Sequence, residues 1–283
     1  MVNKIRTLLE MIKFEHTVFA LPFAFMGAFL AARGVPDSRI AGWVLLAMVG
    51  ARTAAMGFNR IVDLPFDRDN PRTANRALAS GAVRPWEAWL MVVVAGSLFF
   101  LACHRLNPLT LLVSPVMMAF VLGYSYTKRF TWLCHVVLGI ALSLSPLGGW
   151  IAVTGSLAGF PAVLSLGVLF WVAGFDTVYA CLDADFDRSR GLCSLPARFG
   201  RRRAFQLAVL FHVIAFALFV STGLVAGLNA FYYLGIAATA AALFYQHIVV
   251  NPRDLSRIQL SFFTLNGAIS LTLFVATWLA LVV

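Results

Sequence analysis

Three groups with chemical potential recur at a regular step. Asn59, Asp63 and Asp67 stand at i, i+4 and i+8 within N-R-I-V-D-L-P-F-D-R-D-N-P-R-T (59–73), and Tyr179, Asp183 and Asp187 repeat the step in Y-A-C-L-D-A-D-F-D (179–187). On a helix each set lies along one stripe. Asp63–Arg68 and Asp183–Arg188 share the pattern D-x-x-F-D-R, 120 residues apart. Together with Asp69, Asp176 and Asp185 these positions hold seven of the chain's 12 acidic residues. Two such stripes facing each other would place at least four negative charges in one pocket, and their repulsion is severe where water is scarce. Protonation would relieve it, as in a proton-coupled transporter; divalent cations would relieve it better. Aspartate carboxylates with an asparagine carbonyl form a hard-oxygen set suited to Mg²⁺, which shares its remaining coordination with phosphate oxygens. Arg68, Arg72, Lys128 and Arg129 are expected on the same side, where they could clamp the remaining phosphate charge.

The elements that must position these groups are membrane helices. The chain has 283 residues, 61% hydrophobic and 12% charged, with a mean hydropathy of +0.86. A soluble domain carries roughly twice that charged fraction. Apolar runs of about 20 residues recur, each able to cross a hydrocarbon layer of about 30 Å, and helices satisfy their own backbone in lipid. The sequence predicts an all-α polytopic bundle of nine spans, near 14–33, 40–62, 87–104, 108–127, 132–153, 160–182, 204–222, 228–250 and 259–282. The bundle is expected to surround a central cavity open to the cytoplasm and to lipid. Pro65 is expected to open the last turn of the second span. The run 14–32 follows Lys4, Arg6 and Lys13 but is long for a signal peptide, so it reads as a retained first helix. Residues 1–283 read as one domain, with the two D-x-x-F-D-R copies marking an internal duplication of four-helix units.

The net charge of +10 is concentrated in alternate loops: Arg68, Arg72, Arg76 and Arg84; Lys128 and Arg129; Arg188 to Arg203; Arg253 and Arg257. Positive loops stay in the cytoplasm, which places the N-terminus inside and the C-terminus outside a cytoplasmic membrane. No basic stretch alternates with aromatics on a polar background, which excludes nucleic acid. Four cysteines form no C-x-x-C pair and five histidines no zinc spacing. No obligate protein partner is indicated.

A Mg–diphosphate pocket at the cytoplasmic surface, open sideways to lipid, suits an isoprenyl diphosphate, with its anionic head at the interface and its tail in the bilayer. Metal and basic side chains would stabilise the departing diphosphate. Faces of Tyr124, Tyr126, Phe175 or Tyr179 could stabilise the allylic cation. Of the first two, Tyr126 is the better placed for the pocket, with an interfacial aromatic belt as the bland reading. Asp176, inside the sixth span, either supports the pocket or pairs with Arg52 of the second, a cation that needs a partner in a membrane. His16 is either a satisfied core histidine or an acceptor contact.

These motifs resemble the signatures of the UbiA superfamily of intramembrane prenyltransferases: N-x-x-x-D-x-x-x-D at 59–67, the second aspartate motif at 179–187, and a basic loop, Y-S-Y-T-K-R (124–129), after the fourth span. The resemblance covers essentially the whole chain. It implies two Mg²⁺ ions, one held by Asn59, Asp63 and Asp67, the other by Asp183 and Asp187 with help from Asp185. It also implies that Lys128, with Arg68, Arg72 and Arg129, grips diphosphate, and that a prenyl group passes to an aromatic acceptor. The second motif often has another aspartate where this chain has Phe186. Within the superfamily, I-K-F-E-H-T-V-F-A-L-P-F-A (12–24) and L-C-S-L-P-A-R-F-G (192–200) resemble the 4-hydroxybenzoate polyprenyltransferase branch. More narrowly they are similar to the subgroup attributed to the futalosine route to menaquinone, whose acceptor is 1,4-dihydroxy-6-naphthoate. The ubiquinone-type acceptor, 4-hydroxybenzoate, is the alternative. Lys13 or Arg52 would suit the acceptor's carboxylate. A cation transporter would set its charges near the bilayer midplane rather than at one face. The aspartate pattern of a CDP-alcohol phosphotransferase is absent.

Overall fold

Segments that cross lipid must satisfy every backbone N–H and C=O internally, and the chain folds accordingly. The computed structural model describes residues 7–8, 10–12, 17–159 and 162–283, with side chains from residue 20 in the first helix. The helices are α1 (Thr17–Ala32), α2 (Ser38–Asp69), α3 (Pro85–Leu106), α4 (Pro108–Thr127) and α5 (Cys134–Thr154). They continue with α6 (Ala162–Tyr179), the short α7 (Ala184–Ser189), α8 (Leu195–Ala226), α9 (Ala230–Val249) and α10 (Asn266–Val282). No β-strand occurs among the described residues. Seven of the segments are long and apolar enough to cross a bilayer. The two other apolar stretches of the sequence are α1, whose described apolar part is Ala20–Ala32, and α9, which carries Tyr232, Tyr233, Gln246 and His247.

Local signals set the helix ends. The Asp37 carboxylate accepts from the Arg39 and Ile40 N–H groups at the start of α2. Asn107 caps α4 and also donates to the Ile151 carbonyl, 2.8 Å away. Proline stands in the first turn of α3, α4 and α8, where its missing N–H costs nothing. Two boundaries differ from expectation. Pro65 does not open α2: the helix runs through it to Asp69, and the Asn70 N–H still reaches the Phe66 carbonyl. The sixth span instead breaks after Tyr179 into a tight turn, Ala180–Leu182. The two D-x-x-F-D-R copies therefore sit on different scaffolds, one on a continuous helix and one on a turn followed by α7.

Neighbouring helices pack side by side, α1 against α5, α2 against α3 and α6 against α8, while α10 closes on α1. Phe23 of α1 anchors the core, its ring 5.2 Å from Trp171 and 6.0 Å from Phe219. The loop after α2 meets that after α6 (Asn70 to Asp183), the loop after α4 meets that before α8 (Lys128 O to the Cys193 N–H), and Val250 and Ile258 pack against Val178 and Cys181. All these basic loops share one end of the bundle. Asn107 on Ile151, and Arg33 on the Ala226 carbonyl at 3.1 Å, mark the other.

Apolar side chains gain little by leaving lipid, so membrane helices associate by close backbone packing over small residues. At the α1–α5 crossing a Cβ on Gly149 would lie 1.9 Å from the Ala24 carbonyl oxygen, and one on Gly27 2.1 Å from that of Pro146. Both obstacles are backbone, which cannot swing aside. Gly149→Val is expected to cost more than about 3 kcal/mol, the upper range for overpacked cores, read as a lowered Tm in detergent. Gly96→Val, where a Cβ meets nothing within 4 Å, is expected to leave Tm nearly unchanged.

Candidate active site

Because α2 stays helical to Asp69, Asn59, Asp63 and Asp67 keep to one face, and that face looks into a cavity of about 860 Å³. Asp183 and Asp187 line the same cavity from the turn after α6 and from α7. The two acidic tips therefore face one shared space. An apolar arm lined by Ala51, Phe99, Met118 and Val121 leads from the acids to Leu106 and Thr110, at the far end of the bundle.

Bases meet almost every acid. Arg72 grips Asp183 with two bonds, Nε to Oδ1 at 2.8 Å and Nη2 to Oδ2, and the Asn70 amide donates to the same Oδ1 at 2.9 Å. Arg72 also donates to the Tyr179 hydroxyl at 3.3 Å and lies 5.5 Å from that ring's centroid. Arg76 Nη1 bonds both oxygens of Asp67, at 2.7 and 2.9 Å. Lys128 Nζ reaches Asp187 Oδ1 at 2.8 Å, while the Ser194 hydroxyl donates to Oδ2 at 2.9 Å and accepts from the Ala197 N–H, so one side chain caps α8 and anchors the acid. Asp63 takes the Asn59 amide at 2.9 Å. Burial pushes the Asp183 carboxyl up, but the bonds and charge of Arg72, with Asn70 and Lys128, outweigh it and hold that group below the ordinary aspartate range. Burial likewise pulls the Lys128 ammonium down, and Asp187, then Asp183 and Asp63, raise it further than burial lowers it. Lys128 thus feels acids of both tips at once.

Among the described residues no three Asp, Glu, His or Cys side chains converge closely enough to hold an ion, since each carboxylate is turned toward a base or an amide. The donor set still fits Mg²⁺. It is all oxygen, from Asn59, Asp63, Asp67, Asp183 and Asp187 on one cavity, and the bases now on it are the partners that phosphate oxygens would take.

Other expected residues fall in different places. Asp185 is 75% exposed, pairs with Arg188 and Arg201 and is absent from the cavity wall, because α7 turns alternate acids to opposite sides. Arg68 is exposed and off the wall for the same reason: it sits on the outer face of α2. Arg129 lines the cavity, yet its guanidinium donates to the Val62 carbonyl and lies over Phe66 and Tyr126, tying α4 to α2. Tyr126 points outward beneath it, whereas Tyr124, two residues earlier, lines the cavity along with Arg52, Asp63 and Asp176. Asp176 and Arg52 line the cavity but are not paired: Asp176 Oδ2 lies 2.6 Å from His135 Nδ1, and Arg52 Nε is buried with no hydrogen-bond partner among the described residues. Tyr179 contributes its ring, 4.1 Å from that of Phe262, and Phe175 and Phe263 complete an aromatic wall. Lys13 and His16 lie outside the described residues.

Asn70, Arg76 and His135 were missed by reading the sequence. Arg76 is nine residues past Asp67 across an irregular loop, where spacing carries no geometry. An intramembrane acid such as Asp176 demands a partner, and that signal could have singled out a buried histidine.

The model of the UbiA prenyltransferase family matches residues 20–280. A protein of Alkalilimnicola ehrlichii called 4-hydroxybenzoate octaprenyltransferase is 35% identical over 227 residues, 80% of this chain and 77% of the relative. A protein of the same name from Nitrosospira multiformis is 35% identical over 232 residues, 82% and 79% of the two chains. The apo structure of a UbiA homolog from Aeropyrum pernix superposes with a TM-score of 0.86 at 38% identity, covering 93% of this chain and 96% of that one. A UbiA homolog from Archaeoglobus fulgidus, bound to GPP and Mg²⁺, shares the fold with a TM-score of 0.74 at 19% identity, over 98% and 100% of the two chains. The chain belongs to the UbiA prenyltransferase family.

Proposed function

We propose that this integral membrane protein transfers a polyprenyl group from polyprenyl diphosphate to a hydroxylated aromatic acid, with Mg²⁺, at the end of the bundle that faces the cytoplasm. The observation that carries the reading is the bond from Arg72 and Asn70 to Asp183, which joins the two acidic tips over one cavity. Asn59, Asp63 and Asp67 would hold one ion and Asp183 and Asp187 the other. When bound, Mg²⁺ supplies positive charge to the diphosphate oxygens and to the departing group. Arg72, Arg76 and Lys128 then exchange carboxylate for phosphate oxygens, and the head group is held by charges already in place. The prenyl chain fits the apolar arm, and the wall of Tyr179, Phe175 and Phe262 faces the allylic carbon as positive charge develops. The basic loops at the acidic end support a cytoplasmic N-terminus and an outer C-terminus.

Arg52 supports a carboxylated acceptor. A guanidinium with a buried, unpartnered Nε on the cavity wall is a ready donor for an aromatic carboxylate. The relatives named for 4-hydroxybenzoate support that acceptor and the ubiquinone route. The segments 12–24 and 192–200 favour 1,4-dihydroxy-6-naphthoate and menaquinone as the second reading.

Asp63→Asn and Asp183→Asn are each expected to lower kcat by about 10²-fold or more, with insertion retained in both, Tm retained in Asp63→Asn and lowered in Asp183→Asn, which loses the ion pair to Arg72; unchanged turnover in both removes the metal assignment. In membranes supplied with polyprenyl diphosphate and Mg²⁺, 4-hydroxybenzoate should be prenylated faster than 1,4-dihydroxy-6-naphthoate or 1,4-dihydroxy-2-naphthoate, and Arg52→Met should raise the acceptor KM about 10-fold or more while leaving that of the diphosphate unchanged. Because the folded Asp183 carboxyl lies below its ordinary range, its contribution to stability is full above about pH 4 and fades as pH falls through the lower folded value. Arg72→Gln should therefore shift acid unfolding, followed by near-UV circular dichroism in detergent, to higher pH.

A further inference from the structure

We propose that Asp176 is the group that takes the hydroxyl proton of the aromatic acceptor, and that His135 is the residue that aims its carboxylate. The inference rests on the acceptor chemistry proposed above and adds the base for it.

The geometry begins at the start of α8. The Leu195 N–H belongs to the first turn of that helix, where backbone donors have no helical partner. It donates to His135 Nε2 at 3.3 Å. A ring nitrogen that accepts carries no proton, so the proton of the neutral ring sits on Nδ1. Nδ1 lies 2.6 Å from Asp176 Oδ2 and donates to it. The histidine is almost fully buried, at 2% side-chain exposure, whereas Asp176 retains 24%. Among the described residues no hydrogen bond occupies Asp176 Oδ1, and the residue lines the cavity. A carboxylate is thus oriented through one oxygen and presented through the other.

What it faces fits a hydroxylated ring. Tyr124, Asp176, Arg52 and Asp63 all line the one cavity, so the Arg52 guanidinium, the oriented carboxylate and the first acidic tip border one space. An aromatic acid with its carboxylate on Arg52 would present its hydroxyl to Asp176 and its ring to the prenyl carbon. The prenyl C–O bond breaks with its electron pair leaving on diphosphate. The ring carbon beside the hydroxyl forms the C–C bond as the O–H pair moves into the ring and the proton passes to Asp176 Oδ1. Loss of the ring C–H proton to the departing diphosphate restores aromaticity, and Asp176 returns its proton to the oxygen. One proton leaves overall, with the diphosphate.

A positioned base contributes about 10²- to 10⁴-fold. Asp176→Asn is therefore expected to lower kcat for 4-hydroxybenzoate by about 10²-fold or more, with the KM for polyprenyl diphosphate and the Tm unchanged. Its defect should shrink to within about 10-fold for a ring-fluorinated 4-hydroxybenzoate, whose hydroxyl gives up its proton more readily. His135→Gln, which keeps an N–H donor for the carboxylate, should retain most of the activity; His135→Leu should lose it with the same dependence on acceptor acidity. Loss of equal size for every acceptor, an active Asp176→Asn, or equal losses in His135→Gln and His135→Leu would overturn the assignment. Should Asp176→Asn fail to fold, the contrast between the two His135 variants decides. A wild-type protein that prenylates no hydroxylated aromatic acid defeats the acceptor chemistry itself, a result separate from any of these.

Discussion

The four carboxylates of the two acidic tips, Asp63, Asp67, Asp183 and Asp187, border one cavity at the edge of a membrane protein, and the arrangement exists because each is met by a basic or amide side chain. Two unit charges 4 Å apart interact by about 4 kcal/mol at the effective dielectric of a partly buried site. Repulsion between neighbouring acids is then as large as any one attraction, so the acids cannot gather unless each finds a partner. Asp183 has Arg72, Asp67 has Arg76 and Asp187 has Lys128, while Asp63 is bonded to Asn59. The pairs also fasten the bundle, since Arg72 and Asp183 come from loops 111 residues apart. A site that must bring negative charge together is thereby made into a tie between its two halves.

The same pairs prepare the site for an anion. In the function proposed, a diphosphate with Mg²⁺ would exchange partners: the carboxylates would hold the metal and the bases the phosphate oxygens. Neither set of charges has to be assembled anew. Ser194 shows how closely this end is wired, because the hydroxyl that caps α8 also holds Asp187. Two residues of one cap, Ser194 and Leu195, thus reach the second acidic tip through Asp187 and the Asp176 side of the cavity through His135.

Polarity is graded along the cavity. Paired acids and bases occupy one end, Tyr124, Arg52 and Asp176 the zone beyond, and an apolar arm the remainder. A substrate with an anionic head and an apolar tail has one orientation that leaves no charge facing hydrocarbon, and that orientation puts the head on the paired bases.

Much of this was legible in the residues. Apolar runs of span length fixed helices and a membrane, alternate basic loops fixed which ends lie together, and the i, i+4, i+8 step fixed the face of α2, since these depend on hydrophobicity and helical period alone. Other features depended on contacts that no period encodes. The sixth span broke into a turn at 180–182, the short α7 after it set Asp185 outward and Asp187 inward, and Pro65 was absorbed without opening α2. Arg129 packed on Tyr126 and left Tyr124 to face the cavity. Arg76, which spacing did not single out, met Asp67, and His135 rather than Arg52 met Asp176. Composition and spacing determined that acids and bases would share one face of a helical membrane protein; which base meets which acid was decided only when loops far apart in the chain were brought within bonding distance, because ion pairing depends on separation in space and not in sequence.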